Sequence, residues 1–207
     1  PLTITAISGQ ELAKRDIRNV SDLVRSVPSV SFCCQRGEVQ FPFVRGIPGV
    51  KGYFAEVPAA LDGNAYYFDP ASVQVLKGPQ GTLFGTATNG GAILNEPRRP
   101  EKDFGGYVSG TLGDYARTGV EAVINAPLSD QLQVRGGVSY NKSRGFIRDG
   151  SNGRRYGNEN YVTARLGVNF DSGQGLTNYF VVNYFDSKGD RPSFTPFRAN
   201  PAFAGIF

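Results

Sequence analysis

The chain has 207 residues and contains 27 Gly, 10 Tyr and 15 Phe, but no Met, His or Trp. Without His it offers no His-based catalytic triad and no His metal site. The net charge of +4 is modest, and no concentrated basic patch of the kind that binds nucleic acid is present. No signal peptide and no apolar run of membrane-helix length occurs, so any membrane crossing must use β-strands. The missing Met indicates a processed or truncated segment.

The N-terminal part has a mixed α/β pattern. Leu2, Ile4 and Ala6 alternate with polar residues as a short strand. Ser8 and Glu11 form a capping box that predicts the start of a helix. Behind it lies a broken apolar face, typical of two short helices ending before Pro28: Leu12, Ile17, Val20, Leu23, Val24 and Val27. Val30–Phe32 and Phe41–Ile47 are further strand candidates. We therefore predict a small globular α+β domain.

A glycine-rich segment closes this domain. Residues 73–85 read VQVLKGPQGTLFG, and residues 89–93 read NGGAI. The β-rich run stops at Lys77, and Gly78-Pro79 predicts a turn. Further glycines predict sharp bends or close approach to other parts of the backbone: Gly81, Gly85, Gly90 and Gly91.

Beyond residue 98 the hydrophobic period becomes two. We predict five strands: Gly105–Leu112, Gly119–Ala126, Gln131–Asn141, Asn160–Phe170 and Leu176–Asp186. In the first four the apolar side chains lie at even positions, whereas the facing of the fifth is left open. A soluble sandwich that buries its apolar face would give the same alternation. Strands of about ten residues and alternating short and long connections favour a transmembrane barrel.

Several of these motifs together resemble the plug domain of TonB-dependent outer-membrane receptors. They are PLTITAISGQEL, DLVRSVPSVSF, FVRGI, VQVLKGPQGTLFG and NGGAI. The resemblance implies an α+β plug over residues 1–98 and antiparallel transmembrane β-barrel strands over 99–207. Five strands cannot close a barrel of about 22 strands, so we expect the protein to continue past Phe207, and the TonB box to precede Pro1. The stretch from Tyr53 to Gln80 is similar to a subgroup met in sphingomonads.

The resemblance implies a function in the bacterial outer membrane. It predicts active transport of a scarce solute, with the plug gating the barrel lumen and TonB with its inner-membrane complex supplying energy. It implies no catalysis, no cofactor and no metal, and no G-x-S-x-G elbow is present. Two alternatives stay open: a signal-transducing receptor of the same family, and a soluble α+β ligand-binding protein with a β-sandwich. Outer-membrane lipid and lipopolysaccharide are further expected partners.

Two loops of the expected plug are candidates for solute binding, residues 33–38 and 48–54. Their cations and aromatic rings suit an anionic or aromatic solute, although ordinary solvated loops would look alike. The candidates are Cys33, Cys34, Gln35, Arg36, Lys51, Tyr53 and Phe54. A disulfide between adjacent cysteines would be strained. The subgroup resemblance and these loops favour an organic carbon source over a ferric chelate.

Other residues are candidates for gating and for surface contacts. Arg45, beside Gly46, is predicted to hold the plug against the barrel wall, with Glu121 as one possible partner. We also assign the glycine-rich motif, with Lys77 and Pro79, to gating. Residues 66–68 either extend the ligand surface or pack against the wall. One long loop is strongly basic, which suits lipopolysaccharide phosphates or the steering of an anionic solute: Lys142, Arg144, Arg148, Arg154 and Arg155.

Overall fold

A computed structural model describes residues 3–36, 39–59, 66–81, 85, 88–148, 153–173 and 175–189. Within these ranges, no helix combines the length and the apolar character needed to traverse a lipid bilayer.

The N-terminal unit is a mixed sheet with two short helices and a separate hairpin. The elements are β1 (Thr3–Ser8), α1 (Gly9–Lys14), α2 (Val20–Ser26), β2 (Val30–Arg36), β3 (Val39–Val44), β4 (Val50–Phe54), β5 (Val57–Ala59), β6 (Pro70–Lys77) and β7 (Gly91–Pro97). The sheet order is β1-β6-β7-β4-β5, and β2 pairs with β3 alone. Strand β4 runs parallel to β7, and the other neighbours in the sheet are antiparallel.

The two helices begin at the caps that the sequence provides. The Ser8 hydroxyl accepts the Glu11 N–H at 3.2 Å, which confirms the predicted start of α1. The Asn19 side chain accepts the Asp22 N–H at 3.0 Å and caps α2 in the same way. The predicted apolar face packs onto the sheet and forms the core of this unit, with contributions from β1, β6 and β7: Ile7, Leu12, Ile17, Val20, Leu23, Val27, Val30, Val44, Val73, Val75 and Ile93.

The glycine-rich segment provides both the turn and the close approaches that the sequence predicts. Gly78 has a φ of +94°, and its N–H donates to the Gly90 carbonyl at 3.2 Å. A Cβ on Gly90 would overlap the Ile47 carbonyl oxygen, and one on Gly91 would overlap that of Leu76. The segment therefore folds back on β6 at distances that only glycine permits.

Both predicted loops are wrong in part, because residues 33–36 belong to β2 and residues 50–54 belong to β4. Residues 50–54 form β4, paired in parallel with β7 from Val50↔Gly91 to Phe54↔Asn95. The flanking Pro48 and Gly49 are local turn signals, yet pairing with a strand about 40 residues away decides the structure.

The second sheet consists of five long antiparallel strands. They are β8 (Gly105–Gly113), β9 (Arg117–Pro127), β10 (Leu132–Ser143), β13 (Glu159–Asp171) and β14 (Thr177–Ser187). A two-stranded hairpin, β11 (Ile147–Arg148) and β12 (Arg155–Tyr156), lies in the connection from β10 to β13. The sheet order is β14-β13-β10-β9-β8. This arrangement confirms the predicted wedge of sequential barrel strands.

The second sheet turns its apolar face outward. Val108 is 80 % exposed and Leu112 is 86 % exposed, whereas Asn125 and Gln133 on the opposite face are 2 % and 1 % exposed. The even positions of the other strands are also exposed and mostly aliphatic or aromatic: Val120, Ile124, Val138, Tyr140, Leu166, Phe170, Phe180, Val182 and Tyr184. A soluble sandwich would bury this face, so the sheet has the inside-out pattern of a membrane barrel.

The connections define two rims of this sheet. Residues 114–116 meet the described parts of the connection from β10 to β13, residues 144–148 and 153–158, at one rim, where the Arg144 N–H donates to the Tyr115 carbonyl at 2.8 Å. Residues 128–131 meet residues 172, 173, 175 and 176 at the other rim, where the Asp171 N–H donates to the Gln131 carbonyl at 2.8 Å. We call these the long-loop rim and the short-turn rim. In outer-membrane barrels the longer loops face the exterior.

Candidate functional site at the interface of the two sheets

The polar face of the second sheet holds the N-terminal unit, and the contact centres on Asp69. This residue precedes β6 and is 6 % exposed. The Arg135 guanidinium on β10 donates from Nε to Oδ2 at 2.6 Å and from Nη2 to Oδ1 at 2.8 Å. Such a bidentate pair combines charge with a fixed geometry. It joins the two units at a buried point.

Arg165 on β13 reinforces the same point. Its Nη1 donates to the Asp69 carbonyl at 3.2 Å, and its Nε donates to Asn183 Oδ1 at 3.3 Å. The guanidinium also lies over the rings of Phe54 and Phe68, 4.9 and 5.2 Å from their centroids. The two aromatic rings and the Asp69 carbonyl therefore replace the water molecules that the Arg165 guanidinium loses on burial.

A second carboxylate extends the cluster towards β8 and β9. The Tyr107 hydroxyl lies 3.3 Å from Asp69 Oδ1 and donates a short hydrogen bond to Glu121. Two carboxylates, two guanidinium groups and a phenol thus share one site, here called the Asp69 cluster (Asp69, Tyr107, Glu121, Arg135 and Arg165). Its formal charges balance, as a buried group of ions requires.

Aromatic stacking forms another contact nearer the long-loop rim. The Tyr66 and Tyr161 rings stack with centroids 3.8 Å apart, and Phe185 lies 6.1 Å from each. Of the two alternatives left open for residues 66–68, Tyr66 and Phe68 therefore pack against the wall. Tyr67 packs on the core of the N-terminal unit instead, and burial together with the charge of Asp22 raises the pKa of its phenol well above the ordinary range.

Asn125 fixes the segment that links the two units. Its side-chain oxygen accepts the Glu101 N–H at 3.0 Å, and its Nδ2 donates to the carbonyls of Glu101 and Asp103 at 2.9 and 2.6 Å. The linker thus lies against β9 before β8 begins at Gly105.

A cavity of about 470 Å³ separates α1 from the sheet. The N-terminal unit contributes Asp16, Arg18 and Tyr66 to its lining, and the sheet contributes Glu121 and Thr163. Asp69, Tyr107 and Tyr161 line the cavity as well, so it reaches the Asp69 cluster and the Tyr66–Tyr161 stack. The interface is therefore open between α1 and these contacts. The cavity can widen when the N-terminal unit moves. Separation of this unit from the second sheet, in contrast, requires that the contacts of the Asp69 cluster break first.

The predicted solute-binding residues lie in different environments. Cys33, Cys34, Gln35 and Arg36 belong to β2, and their side chains lie outside the described part of the structure. Lys51 is exposed on β4. Tyr53 is buried in a small core with Leu76, Ala92 and Leu94, and Phe54 packs on Arg165. Tyr53 and Phe54 are therefore not loop residues, because both belong to β4 and pair with Leu94 and Asn95 of β7.

The proposed pairing of Arg45 with Glu121 is wrong. Arg45 lies in a turn after β3 with a φ of +54°, and its side chain is exposed. Its N–H donates to the Ser29 carbonyl at 2.8 Å. Glu121 accepts from Tyr107 instead. Within the described ranges, Asp69 makes the buried ion pair with the wall, and the gating role of Arg45 stays a prediction.

Sequence reasoning missed Asp69, Arg135 and Arg165. A signal was present for the two arginines, because both occupy odd positions on strands whose even positions are apolar. Charged side chains on the lumen-facing side of barrel strands are candidates for contact with a domain that fills the lumen. No local pattern marks Asp69 as their partner.

The comparisons with known proteins agree with this architecture. The family described as TonB-dependent Receptor Plug Domain matches residues 1–92. The catecholate siderophore receptor Fiu of Escherichia coli K12 is 27 % identical over 189 residues, which cover 88 % of this chain and 24 % of that protein. The ferripyoverdine receptor of Pseudomonas aeruginosa is 24 % identical, over 66 % of this chain and 18 % of that protein. The chain thus spans about a quarter or less of these relatives.

Solved structures show the same fold. The ferric yersiniabactin uptake receptor FyuA of Yersinia pestis superposes with a TM-score of 0.77 at 22 % identity, covering 89 % of this chain and 31 % of that one. P. aeruginosa FpvA bound to heterologous pyoverdines gives a TM-score of 0.82 at 20 % identity, covering 96 % of this chain and 27 % of that one. Residues 1–92 therefore match the plug domain family of TonB-dependent receptors, and the chain as a whole has the fold of the corresponding part of these solved receptors, a plug beside a wedge of barrel strands.

Proposed function

We propose that the receptor containing this chain imports a scarce solute across the outer membrane. The plug gates the barrel lumen, and TonB with its inner-membrane complex supplies the energy. The solute is moved without chemical change. In this scheme residues 1–98 are the gate and residues 99–207 are the first part of the wall.

The Asp69 cluster is the observation that supports this proposal. A passive pore needs no internal domain tied to its wall by buried charges. A gate must stay closed at rest and still be releasable, and a cluster built on one buried ion pair and its hydrogen bonds, beside a 470 Å³ opening, meets both needs. Breaking such a cluster requires work, because each partner would be left as an uncompensated buried charge. Energy coupled through TonB is a source of that work.

The relatives' names suggest which solutes to test first. They name a catecholate siderophore and ferripyoverdine, so a ferric siderophore is the leading substrate class. The organic carbon source favoured by the sequence remains a prediction. Lys51 and the β2–β3 hairpin, which carries Cys33, Cys34, Gln35 and Arg36, are the proposed solute contacts on the plug.

Uptake in whole cells tests the proposal. The complete receptor is expressed in a strain that lacks its own iron-chelate receptors, with or without TonB. Uptake of radiolabelled ferric catecholate, ferric pyoverdine and a labelled aromatic acid is then compared. We expect one solute to accumulate only in the presence of both receptor and TonB. Accumulation that is independent of TonB would overturn the energised mechanism.

A signal-transducing receptor is the alternative within the family. Such a protein would change transcription of a reporter when the solute binds, in addition to importing it. The same strain with a transcriptional readout separates the two functions, because a transporter alone gives uptake without a response at the receptor's own promoter.

A further inference from the structure

The cavity between α1 and the second sheet has a polar wall on the sheet side. Two rows of lumen-facing side chains cross β8, β9, β10 and β13 in register, and all of them line the cavity. At about 4.8 Å between neighbouring strands, each row spans roughly 14 Å. We call the two rows the hydroxyl wall: Thr111, Gly119, Asn141 and Tyr161 nearer the long-loop rim, and Ser109, Glu121, Ser139 and Thr163 in the next row.

Gly119 sets the shape of the hydroxyl wall. A Cβ on Gly119 would lie 2.5 Å from Asn141 Oδ1 and 3.5 Å from Thr111 Cβ. The Asn141 amide therefore lies across β9 at a distance that only glycine permits. Its Nδ2 donates to Ser139 Oγ at 2.9 Å, which fixes the amide in this position. One amide and two hydroxyl groups are thus placed together on one patch of the wall.

The charges beside the hydroxyl wall are already engaged with other groups. Arg18, on the plug side of the cavity, donates from Nε to Asp16 Oδ1 at 2.5 Å. Glu121, the one charged member of the wall, accepts from Tyr107. An anionic solute at the wall would therefore meet a carboxylate and no cation among the wall residues.

A further cation, Arg98, lines the other end of the cavity. Its N–H donates to the Asp69 carbonyl at 3.1 Å, and Asp69 Oδ1 lies 3.3 Å from the Tyr107 hydroxyl. Thr111 lies four residues beyond Tyr107 on β8, roughly 14 Å along the strand at about 3.4 Å per residue. Arg98 thus marks the end of the cavity nearer the short-turn rim, away from Thr111 and Asn141.

Helix α1 leaves space in front of the hydroxyl wall. Gly9 and Ala13 line the cavity and lie four residues apart, so they share one face of the helix. Gly9 must stay small, because a Cβ there would overlap the Pro70 carbonyl oxygen. The resulting cavity of about 470 Å³ lies within the range of small-molecule sites, roughly 300–1,000 Å³.

We propose that the hydroxyl wall and α1 form an internal binding site for a neutral, polyhydroxylated solute of one or two sugar rings. Hydroxyl and amide groups both donate and accept hydrogen bonds, as the hydroxyl groups of such a solute do. Tyr66 and Tyr161 line the same space and offer apolar surfaces on which a sugar ring can pack. This inference rests on the proposed import function and favours the organic carbon source over an anionic ferric chelate.

Equilibrium binding of maltose, cellobiose and sucrose to the purified complete receptor in detergent tests this site. The variant T111V/N141L removes a hydroxyl and an amide from the wall with little change in size. The matched control T118V/N178L makes the same changes at exposed positions on the lipid-facing side. We expect one of the disaccharides to bind the wild type and the control equally, and to bind T111V/N141L about tenfold or more weakly, as two lost hydrogen bonds imply.

A second variant tests the site without altering the wall. A13F fills the cavity from α1, whereas K14F adds the same ring at a position that does not line the cavity. We expect A13F to weaken disaccharide binding and K14F to leave it unchanged. Hydrogen exchange of residues 9–14 should slow when the disaccharide is added to the wild type, but not when it is added to A13F.

Three outcomes would overturn the inference. One is that none of the three disaccharides binds the wild type. Another is that T111V/N141L and A13F bind the sugar as tightly as the wild type, which would place it elsewhere in the receptor. The third is that a ferric catecholate, and no disaccharide, slows exchange in α1, which would assign the cavity to an anionic chelate.

Failure of this inference and failure of the proposed function give different results. TonB-dependent uptake of a ferric catecholate without any disaccharide binding would overturn the inference and leave the import function standing. Disaccharide binding at the hydroxyl wall without TonB-dependent uptake of any solute would support the site and contradict the import function.

Discussion

Asp69 of the plug and Arg135 of the barrel form a bidentate ion pair across 66 residues of sequence, with N–O distances of 2.6 and 2.8 Å. Both side chains are almost fully buried. Arg165 binds the Asp69 carbonyl from the next strand. One plug residue is therefore held by two barrel strands, through its carboxylate on one and its carbonyl on the other.

Asp69→Asn should loosen the plug. Breaking one side of a buried ion pair costs about 3 kcal/mol, because the partner keeps its charge without compensation. We expect a lower urea midpoint for protease resistance of the plug, and greater entry of a bulky antibiotic into cells that carry the variant. The control Asp103→Asn changes an exposed side chain and should leave both measurements at wild-type values.

A double-mutant cycle with Arg135→Gln distinguishes a specific pair from general loss of polarity. If the two residues are coupled, the double variant should be less destabilised than the sum of the single changes. Strict additivity of the two free energies would contradict the ion-pair account.

Gly90→Ala and Gly91→Ala should each destabilise the plug by roughly 1–3 kcal/mol through overpacking. At Gly90 the new Cβ would also lie 2.8 Å from the Pro48 carbonyl oxygen. At Gly91 the φ of +136° adds backbone strain. Gly110→Ala is the matched control, because nothing lies within 4 Å of its Cβ position. Urea unfolding of the three variants measures the differences, and equal midpoints would contradict the predicted close approach.

The local patterns predicted most of the fold. The Ser8–Glu11 cap, the two short helices and the period of two in the barrel strands are each set by neighbours in sequence, so a short window contains the information. The sequence did not predict which β14 side chains point to the lumen and which point to lipid, because Tyr179–Val182 is apolar at successive positions. The structure turns Tyr179 inward, beneath the Arg99 guanidinium at 4.8 Å.

The candidate site could be predicted only in part. The motif around Arg45 predicts a contact between plug and wall, but the described contact uses Asp69, Arg135 and Arg165. The pairing of these three residues depends on the orientation of the plug relative to the second sheet. The hydrophobic periodicity of the sequence carries no information about that orientation. Strand β4 was missed for a related reason, since its partner β7 is distant in sequence.

Leu166→Arg should impair insertion of the barrel. Leu166 lies at an outward position near the middle of β13, and an arginine on the lipid face costs about 2–4 kcal/mol near the bilayer midplane. Leu128→Arg is the matched control, because it lies in a turn at the rim, where the cost is about 0–1 kcal/mol. Quantifying folded receptor in outer membranes tests this difference. Equal levels for both variants would mean that the band does not face lipid.

Glu96→Gln should stabilise the plug at neutral pH. Burial raises the pKa of the Glu96 carboxyl, the negative charge of Glu56 raises it further, and Arg99 partly offsets both. Because the pKa of Glu96 is higher in the folded plug than in the unfolded chain, the folded plug binds more protons than the unfolded chain at pH values between the two pKa values. Stability therefore falls as pH rises through this window, and the loss persists at neutral pH. Glutamine resembles the protonated acid and avoids the loss.

We expect the gain in unfolding temperature from Glu96→Gln to be largest at neutral pH and to vanish once the pH falls below the usual range of glutamate. Glu56→Gln should give a smaller gain of the same sign, because it removes the second cause of the shift and leaves burial in place. Thermal unfolding of the three proteins from acidic to neutral pH measures this. A gain that does not depend on pH would mean that packing or hydrogen bonding of the new amide, and not the charge of Glu96, causes the change.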